Sequence, residues 1–100
     1  MFVHAVYFTL RADLPEADRA RFLAWQPQLC ALPSVHAGYC GVPAATDRAV
    51  IDRAYTHALV LLFADAAAEQ AYQVHPEHDR FKAECGMCYS QVRIFDSVDA

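Results

Sequence analysis

FVHAVYFTL, residues 2–10, decides how this chain is read, because neither of its alternating faces is polar. The run is rich in β-branched and aromatic side chains and reads as a strand. Successive side chains of a strand point to opposite sides, so His4, Val6, Phe8 and Leu10 share one face. Val3, Ala5, Tyr7 and Thr9 share the other. THALVLLF at 56–63 sorts in the same way, with His57, Leu59, Leu61 and Phe63 opposing Thr56, Ala58, Val60 and Leu62. An antiparallel sheet with helices on one side and water on the other alternates apolar with polar. These strands do not, so both of their faces are expected to be covered.

Working outward, RADLPEADRARFLAWQPQLCALP predicts a helix from about Pro15 to Leu32. Proline fits the first turn, and Glu16 and Asp18 suit the positive end of the helix dipole. Phe22, Trp25 and Leu29 recur at spacings of three and four and build one apolar stripe. Pro27 lies inside that stripe and is expected to kink or interrupt it. VHAGYCGV at 35–42 is a weaker strand, and the polar loop PAATDRAVIDRAY separates it from the run at 56–63. Asp65 caps a short helix, DAAAEQAYQV, which His75-Pro76 breaks before PEHDRFKAEC begins a new turn or helix. SQVRIFD at 90–96 is the last strand. The order is β-α-β-β-α-β with a divided second helix. That is an α+β, ferredoxin-like arrangement, an antiparallel sheet with helices on one face.

A chain of 100 residues with no linker or low-complexity stretch is one domain, 1–100. Its 56% hydrophobic content excludes a disordered chain. The net charge is −4 and the basic residues are scattered, which argues against a nucleic-acid partner. The N-terminal apolar run is short, contains His4 and ends in charge, so no signal peptide is read. No stretch reaches the roughly 18 apolar residues of a membrane span. The expectation is a cytoplasmic protein with no membrane attachment, in which the four cysteines are thiols. With helices on one sheet face, the simplest cover for the other is a twin subunit. Val3, Ala5, Tyr7, Ala58, Val60 and Leu62 are the candidate core of that homodimer interface.

The chemistry-bearing residues gather at AYQVHPEH, residues 71–78. Tyr72 ends one helical segment, and His78 stands in the first turn of the next. A phenol and an imidazole in a half-buried cavity form an acid/base pair, Tyr72 and His78 being the candidate catalytic residues. His4 and His57, on the helix-facing side of their strands, are candidates to hold a polar group of a substrate. Phe22, Trp25 and Phe81 are the candidate apolar wall. His75 is read as a corner residue whose ring bonds a backbone carbonyl, and His36 as a surface residue. Cys85-Gly-Met-Cys88 has C-x-x-C spacing, but it follows a helix and has no second pair of ligands nearby, so no metal is assigned. No cofactor is expected.

MFVHAVYFTL, YTHALVLLF, AYQVHPEHDRF and the closing VRIFD together resemble the stress-responsive A/B barrel domain family over almost the whole chain. The most specific parts are His75-Pro76-Glu77-His78 and Tyr55-Thr56-His57. The resemblance implies a dimeric α+β barrel of ferredoxin-like subunits. One member of that family is a polyketide cyclase performing an intramolecular aldol condensation. Its tyrosine–histidine pair matches Tyr72 and His78, and its other pocket histidines match His4 and His57. Trp25 falls where that enzyme has a pocket tyrosine, and the C-x-x-C and Pro27 depart from the family pattern. Two functions stay open: a cofactor-free cyclase or isomerase acting on a small, largely apolar carbonyl compound, and a non-catalytic stress-associated dimer with a filled interior.

Overall fold

The computed structural model describes all 100 residues. The elements run β1 (Phe2–Leu10), α1 (Glu16–Cys30), β2 (Ala37–Gly41), β3 (His57–Phe63), α2 (Ala66–Gln73), α3 (Pro76–Cys85) and β4 (Tyr89–Val98). The four strands form one antiparallel sheet in the order β2-β3-β1-β4. This is the ferredoxin-like architecture, with β1 central and β4 at an edge. The register sets His4 opposite Leu61 and Asp96, Val6 opposite Leu59 and Ile94, and Phe8 opposite His57 and Val92.

The inner face is the one the alternation predicts. Val6, Phe8, Leu10, Leu59, Leu61 and Phe63 are buried against Phe22 and Leu29 of α1 and against Tyr72 and Phe81. Each fully buried side chain of this kind contributes about 1.5–3 kcal/mol. On the outer face no helix sits. Tyr39 and Phe95 are 57% and 54% exposed there, beside the half-buried Val3, Ala5, Tyr7, Val60 and Leu62. The loop before β3 reaches over one end of that face, where Tyr55 packs edge-on to Tyr7 and Asp52 pairs with Arg93 at 2.9 Å. No helix is long and apolar enough to cross a membrane.

The divided helix is built by two caps. Asp65 accepts the Ala68 N–H at 2.9 Å and starts α2. His75 starts α3, its Nδ1 accepting the Glu77 N–H at 3.0 Å, with Pro76 in the first turn where a missing N–H costs nothing. The expected carbonyl partner of His75 is thus corrected to an N–H donor, because the ring serves as an N-cap. Pro27 does not interrupt α1, which runs on to Cys30. The ring stands so near the end that little helix is left to disrupt, and the Pro27 carbonyl still accepts the Ala31 N–H at 3.2 Å.

Candidate functional site

No helix lies over the inner face of β4, and Val92 and Ile94 are 40% and 50% exposed there. Between that strand, β1 and the α2–α3 corner is a hollow of about 170 Å³. Val6, Phe8, Leu59, Phe81 and Ile94 supply apolar walls, and His4, Tyr72, His78 and Lys82 supply the polar groups. The corner explains the convergence. α2 ends just past Tyr72, the chain reverses at His75-Pro76, and the first turn of α3 brings His78 back against it. The two rings lie 4.7 Å apart between centroids, and the His4 ring lies 6.0 Å from that of Tyr72.

His4 is buried, and its Nδ1 lies 2.6 Å from Oδ1 of Asp96, its register partner on β4. The carboxylate accepts the Nδ1–H, which orients the ring and leaves Nε2 as its other polar atom. Burial holds the His78 imidazole below its ordinary value, and the Lys82 ammonium adds to that effect. Its Nδ1 is buried without a hydrogen-bond partner. Burial pushes the Tyr72 phenol well above its ordinary value, with Cys30 and Glu69 adding to the shift. Near neutrality the hollow therefore holds a protonated phenol beside an uncharged imidazole.

Of the residues singled out in the sequence, His4, Tyr72, His78 and Phe81 line this hollow together. Three do not, and the geometry corrects their placement. His57 pairs with Phe8 rather than approaching His4, and it lines a separate hollow of about 340 Å³ under α1 and β2. Phe22 is fully buried behind Phe8 and Phe81, at centroid distances of 5.1 and 6.0 Å. Trp25 joins α1 to α3, its Nε1–H directed at Oε1 of Glu84 at 3.4 Å and Arg80 lying 5.7 Å above its ring. Cys85 and Cys88 belong to the core, and no group of three or more His, Cys, Asp or Glu side chains converges to hold a metal. Asp96 and Lys82 were missed. For Asp96 the sequence carried no signal, since only the register of β4 against β1 sets it opposite His4. The i+4 position after His78 would have found Lys82, on the same face of α3.

The sequence model of the Stress responsive A/B Barrel Domain matches residues 2–99. The chain belongs to this family. Among solved structures, a Dabb family protein from Mesorhizobium loti with a ferredoxin-like fold is 26% identical, with a TM-score of 0.78 over 99% of this chain and 96% of that one. The hydroxynitrile lyase from Passiflora edulis is 20% identical, with a TM-score of 0.79 over 99% and 93% of the two chains. A dimeric ferredoxin-like protein of unknown function from Thermobifida fusca is 18% identical, with a TM-score of 0.75 over 96% and 88%. None of the curated proteins matches the chain. The three neighbours share the fold of this chain, and the Thermobifida fusca protein is dimeric.

Proposed function

We propose that this A/B barrel protein is a homodimer whose helix–sheet hollow binds a small, largely apolar carbonyl compound and turns it over without a cofactor, as a cyclase, isomerase or related lyase. The observation that carries the reading is the contact of a protonated phenol with an uncharged imidazole, 4.7 Å between ring centroids, inside apolar walls. Tyr72 donates its O–H to the carbonyl oxygen, where negative charge develops as a proton leaves the neighbouring carbon. His78 takes that proton, since its depressed pKa leaves it unprotonated at neutral pH. A positioned base is worth about 10²–10⁴-fold and an oxyanion donor about 10²–10³-fold. His4, held by Asp96, presents Nε2 to a hydroxyl of the same ligand. The hollow limits size: a dry cavity of about 150 Å³ accommodates benzene, so about 170 Å³ suits a single ring. The uncovered outer sheet face, with Tyr39 and Phe95 at its edges, supports packing against a second copy through Val3, Ala5, Tyr7, Ala58, Val60 and Leu62.

A thermal-shift panel of small aryl and alkyl ketones and aldehydes tests the ligand reading. The wild type should be stabilised by several degrees by at least one carbonyl compound at saturation, and His78→Ala should lose that shift. A shift that survives the substitution unchanged would overturn the assignment. In the same buffer, sedimentation should give twice the 11.2 kDa chain mass, and a monomer would remove the sheet-to-sheet packing.

A further inference from the structure

Two sulfur atoms lie together on the helix side of the sheet, at the β2 edge opposite β4. Cys30, the last residue of α1, and Cys40 on β2 hold their Sγ atoms 3.5 Å apart. The fold builds this contact. Cys40 pairs with Leu59 of β3 and so points to the helix side, as does Gly38, two residues earlier. A Cβ at Gly38 would come 2.6 Å from Cβ of Cys30 and 2.7 Å from its Sγ. The glycine lets the end of α1 settle directly on β2, and this lays Cys30 beside Cys40. Both are free thiols, Cys40 exposed and Cys30 half-buried. The C-x-x-C thiols differ: Cys85 and Cys88 are 0% and 1% exposed in the core and closed to an oxidant in solution.

We propose that Cys30 and Cys40 are a redox-modification site that closes reversibly to an intramolecular disulfide, with hydrogen peroxide as the oxidant. The Cys40 thiolate attacks one peroxide oxygen. The O–O bond breaks, the departing hydroxide takes up a proton as water, and Cys40 becomes a sulfenic acid. The Cys30 sulfur then attacks the Cys40 sulfur. The S–S bond forms, the S–O bond breaks, and hydroxide leaves with the Cys30 proton as a second water. Two thiols have lost two electrons and two protons, and one peroxide has become two waters. The order follows access: Cys40 is the open thiol, whereas burial, with Cys40 adding to it, pushes Cys30 up to about 12. The sulfurs need to close by roughly 1.5 Å to reach bonding distance, which side-chain rotation supplies. The link ties the end of α1 to the edge strand β2 and restrains its unpaired side.

Treatment of the native protein with hydrogen peroxide, followed by alkylation and peptide mass mapping, tests this directly. The wild type should lose two mass units, with the Cys30 and Cys40 peptides joined, Cys85 and Cys88 still reduced, and dithiothreitol restoring the starting mass. Amide exchange across Ala37–Gly41 should slow, and the melting temperature should rise by about 4 °C or more in the oxidised form. Cys30→Ser should carry the oxidation of Cys40 forward to sulfenic and higher acids, and Cys40→Ser should leave Cys30 reduced. The proposal is overturned if wild-type Cys40 goes to the same higher acids, if it links only between molecules, or if Cys85 and Cys88 join first. None of these readouts depends on ligand binding in the other hollow.

Discussion

The helix side of the sheet carries two hollows, each containing a histidine from the inner face of a central strand, and the larger one is chemically the quieter. At about 340 Å³ the His57 hollow has twice the room of the His4 hollow at about 170 Å³. Its histidine is already engaged. Thr56 Oγ1 donates to the Phe8 carbonyl at 3.1 Å and accepts the Leu10 N–H at 2.9 Å. With its one proton committed, the hydroxyl only accepts from His57 Nδ1, 3.1 Å away. His57 thus completes a network that ties the start of β3 to β1, and no second imidazole or phenol stands in its hollow. In the smaller hollow His4 is oriented by Asp96, and Tyr72 and His78 converge on it. Volume alone would favour the larger hollow. Convergent polar groups within apolar walls select the smaller one.

The largest expected effect that sharpens this contrast is from Tyr72→Phe. The ring would still pack against Phe63, 5.5 Å away between centroids, so the melting temperature should move little. Turnover should fall about 100-fold, because the donor to the developing oxyanion is gone. Retained turnover, measured with a carbonyl ligand from the panel, would remove the phenol from the chemistry. Asp96→Asn comes next. It keeps the shape of the β4 edge but weakens the hold on the His4 ring, and about tenfold weaker binding is expected by titration calorimetry. An unchanged dissociation constant would make the His4–Asp96 contact purely structural.

The smallest effect is shared by the two hollows. His78 and His57 both lie below the ordinary imidazole value of 6.5, with burial as the first cause in each. The unfolded chain, with ordinary imidazoles, takes up protons at a higher pH than the folded one. Stability should therefore rise with pH through the window from the depressed values to about 6.5, and fall as the solution is acidified through it. Denaturant midpoints measured across that window for wild type, His57→Asn and His78→Ala check the sign. Each substitution should flatten the slope by its own share, and a slope of opposite sign would contradict the burial of both rings.

Much of the architecture was legible because strand alternation is a local signal. The inner set His4, Val6, Phe8 and Leu10 and the apolar outer set followed from a period of two, and the Pro76 break from the chemistry of proline. The gathering of Tyr72 and His78 was legible too, since they flank one corner. What the sequence hid was register. His57 and His4 share a face, but His57 stands opposite Phe8, four residues along β1 from His4, which is about 13 Å of strand. Asp96 was hidden for the same reason, because only the pairing of β4 with β1 shows that it faces His4. Trp25 lay on a correct apolar stripe, yet whether a stripe residue faces a cavity or a neighbouring helix depends on helix packing. Gly38 brings Cys30 to Cys40 by a contact between elements that no local pattern carries.

The most direct test is an NMR titration that follows the ring nitrogens of the five histidines while acetophenone or benzaldehyde is added to the native protein. His78 and His4 should shift together along one saturable curve while His57 stays still. A saturable shift of His57 with His78 and His4 unmoved would place the ligand in the larger hollow and contradict the account.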